Sequence, residues 1–317
     1  MRRIGLRKNQ LGFYESLPFD ERYDEEAFYA ELVGEPELAP GWEGAPDEVR
    51  AHETSDAESG TRTRVHEPMT PRASLDQLAQ GVDVSAYQRN VNWPGAAMDN
   101  KRFVIIKATE GRRQDGMFAQ HWRDSGAAGL IRGAYHLLRP PWEVSASDQV
   151  DNYLSQVHLT PGADLPPCLD IEVARIYQMA DPDGSRGINK KERYHTRQRA
   201  MTRQQITAFI AEWCTICEDR SSGWRPILYL GPWSIHYLRR GGRVAIDSLT
   251  RYDLWFVYYT RRDTAPPRQP IGWPQQWSFW QYRGNRGRSQ GFPGAVDLDR
   301  FNGTYADLQR YVATNHP

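Results

Sequence analysis

The stretch PCLDIE, residues 167–172, decides the fold. It is a short apolar run that ends on two carboxylates, Asp170 and Glu172, spaced i, i+2. Successive side chains of a strand point to opposite faces, so these two acids share one face. An unpaired charge in a buried strand is costly, so paired acids at a strand's end mark a site more than a core. Working outward, similar apolar runs recur on both sides. Residues 81–85, 103–108 and 131–137 precede it, and residues 226–230, 254–259, 279–282 and 295–299 follow. Helical patterns lie between them at 116–128, 145–157 and 202–217. Strands alternating with helices predict β/α units on a parallel sheet. Eight strand-like runs within residues 81–317 fit one barrel domain, typically ~250 residues long. The last runs follow one another with little helix between, so the expected α/β fold is an irregular, TIM-like β/α barrel.

In such barrels the site lies at the C-terminal ends of the strands. Which polar residues stand there is therefore informative. The run GVDVS carries Asp83, and the run AVDLD carries Asp297 and Asp299 in the same alternating relation as Asp170 and Glu172. Several acids converging on one mouth suit glycosidic chemistry, in which one protonated acid gives its proton to the leaving oxygen while another carboxylate assists at the anomeric carbon. Crowding like charges also raises the pKa of at least one of them. The plainer alternative makes each acid an isolated salt-bridge partner; a DxE, an early DVS and a late VDLD together weigh against it. A metal centre would want histidines, and His136 in GAYHLL is the one placed inside an expected strand, so neither a metal nor a cofactor is called for. Eleven Trp and sixteen Tyr supply the aromatic faces that sugar rings stack on. Tyr87, Tyr135, Tyr229, Tyr258 and Trp280, with Gln281 and Asp299 as polar partners, are the expected substrate-binding set. Core packing is the competing reading for any single aromatic.

The net charge of zero is a cancellation. Residues 1–80 hold 9 Lys+Arg against 17 Asp+Glu, and residues 81–317 hold 31 against 23. The acidic, Pro/Glu-rich first part is poor in large aliphatics and reads as a largely non-globular extension. It is either a linker or a docking or loading segment for a carrier or particle protein, since Phe13, Tyr14, Phe19, Tyr23, Phe28 and Tyr29 are many aromatics for a linker. The basic barrel suits a polyanionic partner such as a cell wall; nucleic acid has no motif behind it. No apolar run approaches the ~18 residues that span a membrane. The N-terminus starts basic without the apolar core of a secretory signal, so action at a bacterial wall or periplasm implies delivery by a phage, an injection device or lysis. Cys168, Cys214 and Cys217 are too few for a disulfide framework, and the CxxC of the last two lies in a helical stretch. Residues 181–192, DPDGSRGINKKE, follow calcium-loop spacing, but Arg186 stands where the sharp turn wants Gly. A solvated polar loop is the simpler reading.

These motifs resemble the lysozymes of glycoside hydrolase family 25. The resemblance runs in order through GVDVSAYQ, FVIIKATEG, GAAGLIRGAYHLL, LPPCLDIE, RPILYLG, LWFVYY, WSFWQY and AVDLDRFNG, nearly the whole of residues 81–317. It implies an N-acetylmuramidase that cuts the β-1,4 bond between N-acetylmuramic acid and N-acetylglucosamine in the glycan strands of peptidoglycan. It further implies that Glu172 is the general acid, that Asp170 orients the substrate's own N-acetyl group, and that Asp83 and Asp297 flank them. Two departures stand out: Arg89 follows the YQ where the family often has Gly, and Asp299 replaces the amide of the family's D-x-N. A non-catalytic wall-binding component of a particle is the rival from another class, and the intact set of four acids argues against it. An amidase or peptidase would need zinc ligands or a Cys/His pair.

Overall fold

The computed structural model describes residues 73–172, 201–239, 246–259, 267, 273–284 and 286–317. The calcium-like stretch 181–192 and all but the last eight residues of the expected extension lie outside them. The chain divides into two compact units, residues 1–18 with 70–317 and residues 19–69, and every described residue belongs to the first.

The described residues form a closed β/α barrel. Its elements run β1 (Gln80–Val84), α1 (Trp93–Met98), β2 (Lys101–Glu110), β3 (Arg113–Gln114), α2 (Phe118–Ala127), β4 (Ile131–Leu137), α3 (Ala146–Gln156) and β5 (Cys168–Asp170). After residues 173–200 come α4 (Arg203–Arg220), β6 (Ile227–Leu230), α5 (Pro232–Arg239), β7 (Asp253–Val257), β8 (Trp277–Arg283), β9 (Asp297–Phe301) and α6 (Tyr305–Thr314). Neighbours around the sheet run β1, β9, β8, β7, β6, β5, β4, β2, β3, and a β1–β2 pairing closes the ring. β3 is a two-residue hairpin arm on β2. Pairing is parallel from β1 through β2, β4, β5, β6 and β7 to β8. β9 runs antiparallel to both β8 and β1. Among the described residues no helix separates β7, β8 and β9, which is the irregular side that the sequence predicted.

Local sequence accounts for where the helices begin. Thr202 caps α4 and Gln205 reaches back to it; Thr304 and Asp307 do the same for α6. Both are capping boxes, which satisfy two of the N–H groups a helix start leaves open. Asn92 caps α1, with proline in the first turn, where the missing N–H costs nothing. The last residues of the expected extension join the barrel: Leu78 and Ala79 are buried, and the Ala79 N–H donates to the Gly303 carbonyl at 2.8 Å.

The barrel is filled, not hollow. Phe103 and Ile105 of β2, Cys168 of β5, Ile227 of β6, Trp255 of β7, Phe279 of β8 and Phe301 of β9 pack together at its centre. Gly81 is part of this packing, because a Cβ there would overlap the Phe103 ring. The glycine of GVDVS thus lets an aromatic plug the barrel directly beneath Asp83. Outside the sheet a second layer forms where α3 and α4 cover β4. Trp213 stacks on His136 with ring centroids 5.6 Å apart, and the Tyr153 hydroxyl donates to the Ala134 carbonyl at 2.9 Å. Cys214 and Cys217 are buried on α4 in this layer, and burial pushes the Cys217 thiol up to about 12, so they serve as packing and not as thiolates.

Candidate active site

β1, β2 and β4 to β8 point their C-terminal ends at one mouth of the barrel, and β9 begins there because it runs the opposite way. Asp83, late in β1, therefore lies directly across from Asp297, the first residue of β9. One side chain holds the two together. The Gln281 amide of β8 donates to Asp83 at 2.6 Å and to Asp297 at 3.4 Å. Its carbonyl oxygen accepts from the Tyr229 hydroxyl at 2.9 Å and the Tyr259 hydroxyl at 2.7 Å. Gln281 is almost fully buried, so its donor and acceptor ends are satisfied by protein groups.

Around this bridge the mouth is acidic and aromatic. Tyr135 of β4 lies within the field of Asp83, Asp170 and Asp297, and Tyr229 within that of Asp170, Asp83 and Asp297. Burial first, then these carboxylates for Tyr135 and, for Tyr229, the Tyr259 phenol followed by these carboxylates, hold both phenols well above their ordinary value, so they remain neutral hydroxyls. Asp83 itself is raised well above the usual carboxylate range, by burial and then by the charges of Asp297 and Asp299. The indole of Trp255 forms the floor, 4.7 Å from the Tyr229 ring and 6.1 Å from that of Tyr135. Its N–H donates to Asp299 at 2.8 Å.

The DxE pair ends β5. Asp170 is half-buried at the last strand position, and the Leu138 N–H donates to its carbonyl at 3.0 Å. The Ile171 N–H donates to the Tyr229 carbonyl at 3.2 Å, carrying the ladder one residue further. Glu172, also half-buried, follows as the last described residue before the 173–200 stretch.

The structure thus brings Asp83, Asp297, Asp170, Tyr135, Tyr229 and Gln281 to one mouth. Four expected site residues fall elsewhere. Tyr258 and Trp280 sit on the outer side of the sheet: Tyr258 stacks on Phe256 at 5.7 Å, and the Trp280 indole donates to the Tyr258 carbonyl at 2.7 Å. Their chain neighbours Tyr259 and Gln281 are the ones that face inward, so of the YY pair it is Tyr259 that reaches the mouth. Asp299 is fully buried one layer below Asp297, because an antiparallel strand carries its second acid down into the barrel. Tyr87 is 71% exposed on the loop after β1, at the rim and not in the pocket. His136 faces the helical layer, bonded to Thr109 at 2.7 Å and Gln149 at 2.9 Å. Burial pulls its pKa down to about 4, so it is a neutral core imidazole. Among the described residues no group of His, Cys, Asp or Glu is arranged to hold a metal ion. No helix among them is long and apolar enough to cross a membrane.

A closed β/α barrel with carboxylates gathered at its C-terminal mouth defines the class of barrel glycosidases. Residues 82–291 match the family model for glycosyl hydrolases family 25. The Escherichia coli K12 protein YegX is 32% identical over 247 residues, covering 76% of each chain. Lysozyme M1 of Streptomyces globisporus is 31% identical over 238 residues, covering 72% of this chain and 69% of its own. The crystal structure of the Streptomyces coelicolor lysozyme superimposes with a TM-score of 0.60 at 26% identity, over 75% of this chain and 98% of that one. The chain belongs to glycosyl hydrolase family 25. It is a glycosidase of the muramidase (lysozyme) type, acting on peptidoglycan.

Proposed function

We propose that this muramidase cleaves the β-1,4 bond between N-acetylmuramic acid and N-acetylglucosamine with Glu172 as general acid. Asp170, two residues earlier, orients the substrate's own N-acetyl group so that the group can assist at the anomeric carbon. Asp83 and Asp297 line the same pocket and stabilise the positive charge that develops there. The observation that carries this reading is the Gln281 bridge: one buried amide holds two facing carboxylates, with two tyrosine hydroxyls fixing the amide in turn. Such an arrangement keeps negative charge aimed at one point before substrate arrives, which is the preorganisation that glycosidic bond cleavage exploits. Tyr135 and Tyr229 offer aromatic surface within the pocket, and Tyr87 offers it at the rim.

The test is Glu172→Gln, an isosteric change that removes the proton donor. Wall lysis should fall by about 10²–10⁴, the usual contribution of a positioned acid, with the unfolding temperature held. Lysis at the parent's rate overturns the assignment.

Residues 1–80 are the proposed docking or loading segment. Their composition and their charge, opposite to that of residues 81–317, support a role in placing the enzyme on a carrier such as a phage or injection particle. No cofactor enters the reaction.

A further inference from the structure

Asp299 is the one acid of the cluster that lies below the pocket. It is fully buried, opposite Gln281 on one side and Gly81 on the other. One carboxyl oxygen accepts from the Trp255 indole at 2.8 Å. The other is buried with no hydrogen-bond donor among the described residues, and the Asp299 side chain meets the carboxyl of Asp83. Ionised carboxylates are acceptors only. Two of them in contact, away from water, are tolerable only across a proton.

We propose that Asp83 and Asp299 share one proton through neutral pH, and that Asp299 is thereby a positioning residue that holds the Asp83 carboxyl in register with Gln281 and Asp297. This rests on the muramidase reading only for its effect on rate; the shared proton itself is a property of the free protein. The surrounding groups agree with it. Asp297 contributes a second acid from β9, Cys168 faces the pair from β5, and Tyr259 approaches from beyond β7. From β2 the neighbours are Phe103 and Ile105 and from β8 Gln281, all uncharged, and no cation is among the described groups that act on Asp299. Tyr229 and Tyr135 border Asp83 and are neutral. Burial, with the charge of Asp297 added, pushes Asp299 up to about 8 despite the Trp255 hydrogen bond and the contact with Asp83, both of which lower it. Loss of the shared proton, once pH has passed the raised range of both acids, sets two bare carboxylates against each other. Asp83 then shifts, and Gln281 and its two tyrosines shift with it. The titration belongs to the pair and not to either residue alone.

Two measurements test this. The first is infrared difference spectroscopy on the unliganded protein as pH rises from about 6 to about 9.5, a range that brackets the value near 8. In a Glu172→Gln background, which removes the general acid's own signal, a protonated-carboxyl band should be present at the start and weakened by the end, and adding Asp299→Asn should remove that component. The second is the ratio of glycan-cleavage rates at those two pH values. The asparagine amide donates to Asp83 without titrating, so Asp299→Asn should raise that ratio at least threefold over the parent. A Glu172→Gln protein with no protonated-carboxyl band near neutral pH overturns the shared proton, whether or not Asp299→Asn folds. A band that is present while the rate ratio is equal in the parent and in Asp299→Asn overturns the positioning role. If neither of these two cleaves glycan, the muramidase reading fails and the infrared result still decides the proton.

Discussion

Gln281→Glu replaces one atom's worth of chemistry in the middle of the site. The new side chain has the same shape and can still accept from Tyr229 and Tyr259, but its other end is an oxygen facing Asp83 where the amide donated at 2.6 Å. Ionised, it loses a hydrogen bond to a charged group, worth about 1.5–3 kcal/mol. It also gains a like-charge contact, which at ~4 Å and an effective dielectric near 20 costs about 4 kcal/mol. The cheaper course is to take up a proton and donate it to Asp83. At pH 7 that costs about 1.4 kcal/mol for each unit above the ordinary glutamate value near 4.3, or about 4 kcal/mol in all. The introduced acid therefore has a folded-state pKa raised above its unfolded one. Its stabilising form is fully present below the unfolded value and is lost as pH rises through the window above it. Thermal unfolding followed by circular dichroism should show the variant close to the parent near pH 4.5 and destabilised by about 4 kcal/mol near pH 7.5. That corresponds to a drop of roughly 8–16 °C for a domain of this size. Gln281→Met, which cannot titrate, should be destabilised by a similar amount at both pH values. An equal deficit for Gln281→Glu at the two pH values, or none at pH 7.5, would refute the donor role of the amide.

Two further outcomes follow from the geometry and the charge pattern. Tyr259→Phe removes a hydroxyl that fixes Gln281, and should lower the rate of glycan cleavage about three- to tenfold, in line with a net hydrogen bond of about 1 kcal/mol. Tyr258→Phe, changed on the outer side of the sheet, should stay within about twofold, and a reversed order would put the wrong tyrosine in the site. A chain that begins near Ser74 should hydrolyse soluble glycan fragments about as fast as the full chain and lose association with any carrier. If it is insoluble, residues before Ser74 complete the barrel.

Where the candidate acids lie was legible because they interrupt apolar runs. Asp83 within GVDVS and Asp170 at the end of PCLDIE are charges where strand burial argues against them, and the structure puts both at the mouth. Parity was legible only where a strand held one plausible polar residue. In LWFVYY the tyrosines at 258 and 259 are chemically equal, and which of them faces inward is set by Trp255, whose inward indole a sequence cannot announce. Strand direction was likewise silent. AVDLD alternates in the same way whether it rises to the mouth or descends from it, so reading it like PCLDIE put both acids in the pocket. The antiparallel pairing with β1 and β8 keeps Asp297 there and sends Asp299 below. Histidine in GAYHLL lies one residue from an inward tyrosine and so faces the helices, where Gln149 of α3 satisfies it; that partner lies 13 residues on in the chain and carries no local signal.

The central claim, that this barrel's carboxylates cut the glycan and not the peptide of the wall, is tested most directly by mass analysis of fragments released from purified peptidoglycan after borohydride reduction. The account predicts fragments whose reduced end is N-acetylmuramitol, with stem peptides intact, and predicts that Glu172→Gln releases almost none. Fragments ending in reduced N-acetylglucosamine, or freed peptides, would contradict it.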